Sequence, residues 1–144
     1  MVSATVGAGG PTNPGEAELA ALLTRAGFPT PLQQYEIRIG HPTPTTTPDF
    51  AYLDSDVDLK VAIYLDGLSK GVHGNEAQAQ KDAMIRSVLE GDGWQVLVIA
   101  RSELNDQQAM LLHFKRLAHA LKRKDHAKGL AEDQSWFAAV RETA

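Results

Sequence analysis

The stretch PDFAYLDSDVDLKVAIYLDG, residues 48–67, contains two apolar runs separated by a short acidic segment. Aromatic and β-branched residues predict strands at Phe50–Leu53 and Leu59–Leu65, and the segment DSDVD between them is typical of a tight turn. The second run is almost continuously apolar, the pattern of a central strand covered on both faces. Antiparallel pairing of this hairpin would bring Asp49, before the first strand, and Asp66, after the second, to the same edge of the sheet.

Hydrophobic periodicity on either side of the hairpin predicts further elements. In chain order they are a helix at Gly15–Ala26, a strand at Leu32–Ile39, a helix at Asn75–Glu90, a strand at Trp94–Ala100, a long helix from Ser102 or Asn105 to about Lys124, and an amphipathic piece around Trp136 and Phe137. This order predicts an α/β fold, a sandwich of helices around a central mixed sheet of about four strands.

The length of 144 residues, with 43% hydrophobic and 22% charged residues, is that of one globular domain. We expect residues 1–14, which are small and rich in Gly and Pro, to form a flexible leader or linker, residues 15–128 to form the domain, and residues 129–144 to form a C-terminal amphipathic tail. No apolar run is long enough to span a membrane, no signal peptide is visible, and cysteine is absent. These features predict a cytoplasmic protein with no membrane contact and no small-molecule cofactor.

Charge is unevenly distributed along the chain. The formal net charge is −4, but residues 115–128 hold six basic residues and one acid, for a local charge of +5. Lys122, Arg123 and Lys124 lie at the centre of this segment and are candidates for contact with nucleic-acid phosphates. A solvated helix end explains the same residues, because Lys and Arg also favour helix C-termini.

Asp49 and Asp66 allow two interpretations. Each is explained as an ordinary turn residue, because Asp favours turns and helix caps. Two carboxylates at one sheet edge are also the arrangement that a divalent cation uses, and Glu16 or Glu18 in the first helix could supply a third. Mg²⁺ or Mn²⁺ held there would lower the pKa of a bound water and neutralise charge on a phosphate.

The segment GLSKGVHGN, residues 67–75, is a glycine-rich loop that follows the central strand. Its backbone could approach a ligand closely, and Lys70 or His73 could contact a phosphate or assist proton transfer. The alternative is a flexible connector with incidental polar residues.

Six motifs together carry a resemblance to a known family. In chain order they are Glu16 in a first helix, AGFPTPLQQYEI at residues 26–37, PDFAY at 48–52, VAIYLDG at 61–67, HGN at 73–75, and KDA at 81–83 leading to GWQVLVI at 93–99. The set resembles the PD-(D/E)XK nuclease superfamily, and more narrowly the very-short-patch-repair endonucleases and the related domains fused to bacterial DEAD/DEAH helicases. The resemblance covers about Glu16 to Leu104 and implies a restriction-endonuclease-like fold.

Position by position, the resemblance implies a metal site of Asp49, Glu16, Asp66 and the Leu65 carbonyl. Asp66 stands in the slot of the signature lysine and would order a water or a second ion, while His73 lies near a loop histidine of the repair endonucleases. The implied activity is Mg²⁺-dependent cleavage of DNA, within a larger helicase, repair or defence protein.

Tyr64 departs from the family signature, because the second acidic residue of the signature falls on this position and a phenol is a poor ligand for Mg²⁺. The repair endonucleases also carry an aromatic residue there. Gln34 matches a glutamine that is frequent in the second element of the family. The alternative to an enzyme is therefore a nuclease-fold module without cleavage, which binds nucleic acid or docks onto another protein.

Overall fold

The structure is a computed structural model that describes residues 14–38, 45–66 and 76–137. Its helices are α1 (Pro14–Arg25), α2 (Glu76–Gly91), α3 (Gln107–Ala120) and α4 (Lys124–Glu132). Its strands are β1 (Leu32–Gln33), β2 (Ile37–Arg38), β3 (Thr45–Thr46), β4 (Phe50–Asp54), β5 (Leu59–Asp66) and β6 (Gln95–Ala100). Short 3-10 helices cover Ser55–Val57 and Arg101–Asn105.

Four strands form one mixed sheet in the order β1-β4-β5-β6. The predicted hairpin is confirmed, since β4 pairs antiparallel with β5 and Phe50 lies opposite Ile63. Strand β6 then pairs parallel with β5 after a connection that contains α2, as a parallel neighbour requires. Strands β2 and β3 form a separate two-stranded sheet. The predicted mixed α/β architecture around about four strands is therefore confirmed.

Helices cover both faces of the sheet because side chains of β4 and β5 alternate between two apolar clusters. The larger cluster joins one strand face to α1, α3 and α4 and includes Ile63, Leu22 and Phe114. The smaller cluster joins the opposite face to α2 and includes Ala62 and Leu89. Burial on both faces explains why the β5 sequence is nearly continuous in apolar residues.

The prediction of one continuous strand at Leu32–Ile39 is wrong, because the structure has two short strands there. Strand β1 pairs with β4, whereas β2 pairs with β3, so the chain changes partner between them. Gln34 makes this change with a left-handed backbone, at φ 54°, and its N–H donates to the Asp49 carbonyl at 3.4 Å. Periodicity could not reveal the break, because alternation continues through a change of partner.

The long helix predicted to reach about Lys124 ends earlier, at Ala120. It begins after Asp106, whose carboxylate accepts from the Ala109 N–H at 3.1 Å, rather than at Ser102 or Asn105. At its other end Lys122 takes a left-handed backbone, at φ 63°, and Arg123 N–H donates to the Ala118 carbonyl. This is the hydrogen-bond pattern of a Schellman motif, which usually has glycine at the left-handed position.

The predicted boundary between residues 128 and 129 falls inside α4, which continues through Gly129. Beyond that helix, Trp136 and Phe137 are each only 5% exposed and belong to the larger apolar cluster. The Trp136 ring N–H donates to the Leu130 carbonyl at 3.3 Å. Residues as far as 137 therefore pack with the body of the domain.

Several predictions lie outside the described residues, namely those on residues 1–13, on the loop 67–75 with Lys70 and His73, and on residues 138–144 of the predicted tail. Within the described ranges, no helix combines the length and the apolar character that crossing a bilayer requires.

Candidate functional site at the carboxyl edge of the sheet

Asp49 and Leu65 meet at the edge of the sheet where β4 begins and β5 ends. The Asp49 carboxylate accepts a hydrogen bond from the Leu65 N–H, with Oδ2 2.7 Å from the nitrogen. The N–H and C=O of one strand residue point to the same neighbouring strand, so the Leu65 carbonyl is directed toward the side on which Asp49 lies. This edge therefore presents a half-buried carboxylate beside a main-chain carbonyl.

Asp66 is the last residue of β5, and its backbone pairs with Ala100 at the end of β6. Since Phe50 lies opposite Ile63, the pairing register puts Asp49 and Asp66 at the same edge, as the hairpin prediction expected. The side chain of Asp66 lies outside the described part of the structure. The predicted position of Asp66 at the same edge as Asp49 is therefore confirmed, and the chemical role of Asp66 stays a prediction.

The first turn of α1 lies against the same edge. A Cβ atom added to Gly15 would lie 3.1 Å from Cδ2 of Leu65, so only a glycine allows this approach without a shift of its neighbours. Glu16 follows directly and is half-buried, and Glu18, two residues further along α1, is half-buried as well. The start of α1 and Asp49 thus both approach Leu65, α1 at its side chain and Asp49 at its backbone N–H, which makes this edge one candidate site.

Arg101 is a functional candidate that the sequence analysis missed. It is the first residue after β6, and its Nη1 would lie only 2.9 Å from a Cβ atom on Gly15. Arg101 is half-buried at the carboxyl edge, where its guanidinium can pair with a phosphate through two hydrogen bonds. Its position directly after a buried strand was the available signal, since the carboxyl ends of parallel strands are where α/β sheets bind ligands.

Glu103 and His113 hold the turn that follows β6. Glu103 Oε1 accepts from the Ala100 N–H at 2.9 Å and contacts His113 Nε2 at 2.8 Å. Desolvation by itself raises the pKa of Glu103, but the two hydrogen bonds and the nearby positive charges of His113 and Arg116 outweigh it and lower the pKa below its usual range. An ionised Glu103 therefore fixes the backbone immediately before Arg101.

Tyr64 occupies the position at which the resembled signature has an acid. It is half-buried, and its hydroxyl lies 2.7 Å from the Thr46 hydroxyl, so the side chain ties β5 to the small β2–β3 sheet. The hydrogen bond gives Tyr64 a structural role.

Oxygen donors at this edge match the preference of Mg²⁺, which binds carboxylates and carbonyls and retains several waters. Among the side chains that the structure describes, no three of His, Cys, Asp and Glu are close enough together to hold a metal ion. The ligands that could hold a cation here are therefore the Asp49 carboxylate, the Leu65 carbonyl and one further carboxylate, from Glu16 or Asp66.

The predicted nucleic-acid residues Lys122, Arg123 and Lys124 are exposed and form a basic turn after the C-terminal end of α3. Helix α3 begins beyond the end of β6 and runs back along it for 14 residues, which is about 21 Å. At its far end Arg123 lies near Tyr52, where its charge partly opposes the rise in the Tyr52 pKa caused by burial. The basic turn thus follows the C-terminal end of α3, whereas the N-terminal end of α3 follows the carboxyl end of β6.

Comparisons of the chain with protein-family models, with curated proteins and with solved structures give no significant match.

Proposed function

We propose that the chain is a restriction-endonuclease-like domain that cleaves DNA phosphodiester bonds with Mg²⁺ or Mn²⁺, as part of a larger helicase, repair or defence protein. The observation that carries the proposal is the Asp49 carboxylate held against Leu65 at the end of the central strand, with the start of α1 packed beside it. The antiparallel hairpin followed by a helix and a parallel strand supports it as well, since it provides the sheet edge that such a site needs.

Each residue has a distinct task in this proposal. Asp49, Glu16 and the Leu65 carbonyl would hold the cation, which when bound supplies charge neutralisation and a more acidic water. Asp66 would orient the attacking water, and His73 would exchange a proton with it or with the leaving oxygen. Arg101 would hold a non-bridging phosphate oxygen, because its guanidinium already lies at this edge.

The test is incubation of plasmid and single-stranded DNA with purified protein in Mg²⁺, in Mn²⁺ or in chelator. The informative variant is Asp49→Asn, which retains an oxygen acceptor for the Leu65 N–H but removes the charge that a cation needs. The matched control is Asp56→Asn, the same change at an exposed position in the β4–β5 turn.

We expect metal-dependent cutting by the wild type and by Asp56→Asn, and a loss of at least a hundredfold in Asp49→Asn. Arg101→Lys should lose about tenfold, because lysine keeps the charge but not the paired hydrogen bonds. Equal cutting by all variants would mean a contaminating nuclease, and absence of cutting by the wild type on every substrate would reject the enzyme.

A nuclease-fold module without cleavage is the second candidate, and it is favoured by the hydrogen bond between Tyr64 and Thr46 at the signature position. Such a module would bind DNA through the basic turn of Lys122, Arg123 and Lys124. Reversal of all three charges should then abolish binding of a labelled duplex, whereas Asp49→Asn should not affect it. The logarithm of affinity should fall with the logarithm of salt concentration, with a slope that decreases by about one for each removed phosphate contact.

A further inference from the structure

A cleft of about 720 Å³ lies along the outer edge of β6, away from the carboxylate edge. One wall is α2, which contributes Arg86 and Glu90, and the other is the last part of α3, which contributes Arg116 and His119. The floor is the strand itself, at residues 95–98. Because α2 and α3 pack on opposite faces of the sheet, the cleft opens directly onto the strand edge between them.

Strand β6 is the last strand of the described sheet, so its outer backbone groups have no ladder partner among the described strands. In the parallel pair with β5, the backbone N–H and C=O groups of one β6 residue are directed to β5, and those of the next residue are directed outward. The Ala100 N–H bonds to Glu103 instead of to β5, which identifies the outward set as Val96, Val98 and Ala100. Glu103 thus covers the far end of the edge, while Val96 and Val98 lie along the cleft.

An exposed strand edge is a template for another strand, and proteins usually protect such edges with a cover, a bulge or an inward charge. Here α2 and α3 stand on either side of the edge and leave room between them. The floor of four residues is about 13 Å long and can pair with a segment of similar length. A cleft of this size is within the range of about 300–1,000 Å³ typical of ligand sites.

The charged walls indicate which kind of segment fits. Arg86 and Glu90 are one turn apart on α2 and offset each other. On α3, Arg116 and His119 line the cleft, and the acid near Arg116, Glu103, lies outside the lining. The β6 residues Val96 and Val98, on the face of the sheet that α2 covers, are half-buried and apolar. In an added strand, alternate side chains would therefore meet an apolar wall and a basic wall.

We propose that this cleft binds an acidic, extended peptide segment of a partner protein, which adds to the sheet as a strand beside β6. Its apolar side chains pack over Val96 and Val98, and its alternate carboxylates lie against Arg116 and His119. The main-chain hydrogen bonds supply affinity and the alternation supplies specificity, as in other strand-addition complexes. The proposal is independent of DNA cleavage, since the cleft and the carboxylate edge share no residue.

The test uses fluorescence anisotropy with a capped, labelled octapeptide of alternating Glu and Val. We expect saturable binding, at least tenfold weaker binding of a Lys–Val peptide, and at least fivefold weaker binding to Arg116→Glu. Arg38→Glu is the matched control, because it makes the same charge change at an exposed position outside the cleft and should bind like the wild type. Thermal melts of both variants establish that they remain folded.

Backbone methylation distinguishes strand addition from simple charge attraction. One octapeptide is N-methylated at every Glu and another at every Val, so that only one of them blocks the amides that face β6. Loss of binding in one and retention in the other supports the proposal, and equal binding of both overturns it. Two further results would overturn the proposal. One is that the cleft binds an oligonucleotide and not the peptide. The other is that the protein binds no peptide but forms a dimer, and that Arg116→Glu dissociates this dimer.

Discussion

Substitution of Asp49 by alanine tests whether its carboxylate holds the end of the central strand. Leu65 is only 8% exposed, and its N–H would lose a charged acceptor 2.7 Å away. Hydrogen bonds to charged groups contribute about 1.5–3 kcal/mol, and because Asp49 is half-buried we expect the lower end, about 1.5 kcal/mol. For a chain of this length that loss lowers the melting temperature by about 6 °C.

Asp49→Asn separates the hydrogen bond from the charge. Asparagine can still accept from the Leu65 N–H, so we expect a loss of less than about 1 kcal/mol. The measurement is urea unfolding followed by tryptophan fluorescence, because Trp94 and Trp136 are both buried and both report loss of the folded state. Asp56→Asn should leave the midpoint unchanged.

Divalent cation adds a second measurement to the same series. A ligand that binds only the folded state stabilises it, by about 2.7 kcal/mol at a hundred times its dissociation constant. Mg²⁺ should therefore raise the midpoint of the wild type and not that of Asp49→Asn. Asp49→Ala with wild-type stability would refute the structural part of the reasoning, and an equal Mg²⁺ response in both proteins would refute the metal assignment.

Three further predictions concern other parts of the fold. Lys122→Gly should raise the free energy of unfolding by about 0.5–1 kcal/mol in urea titrations, because glycine relieves the left-handed backbone, whereas Lys122→Ala should give no gain. The depressed pKa of Glu103 means that its stabilising contribution is complete above the usual glutamate pKa and is lost as the pH falls through the lower folded-state value. Unfolding titrations from pH 6 to pH 3 should thus show a shallower decline in stability for Glu103→Gln, and an unchanged pH profile would contradict this assignment. Trp136→Ala should cost about 3–5 kcal/mol in thermal melts, because the ring is buried in the larger apolar cluster, and a cost below about 1 kcal/mol would contradict that packing.

Local pattern was sufficient to predict most elements of the fold. The hairpin of β4 and β5 follows from apolar runs around a turn, and α1 and α2 follow from their helical spacing and end signals. The shared edge of Asp49 and Asp66 also follows, because antiparallel pairing leaves no other arrangement for those positions. The break at Gln34 and the early end of α3 were not predictable from the sequence. Each depends on which backbone groups pair by hydrogen bonds in the folded chain, and the periodicity of the segment does not specify that pairing.

What the sequence by itself determined is the set of elements, the central position of β5 and the edge at which Asp49 and Asp66 stand, since these depend on side-chain alternation and chain direction. Only the tertiary structure decided that the start of α1 packs on Leu65, that Arg101 joins it there, and that the basic turn after α3 lies near Tyr52. It also decided that the outer edge of β6 faces a cleft between two helices. These features depend on contacts between residues far apart in the chain, which local periodicity does not specify.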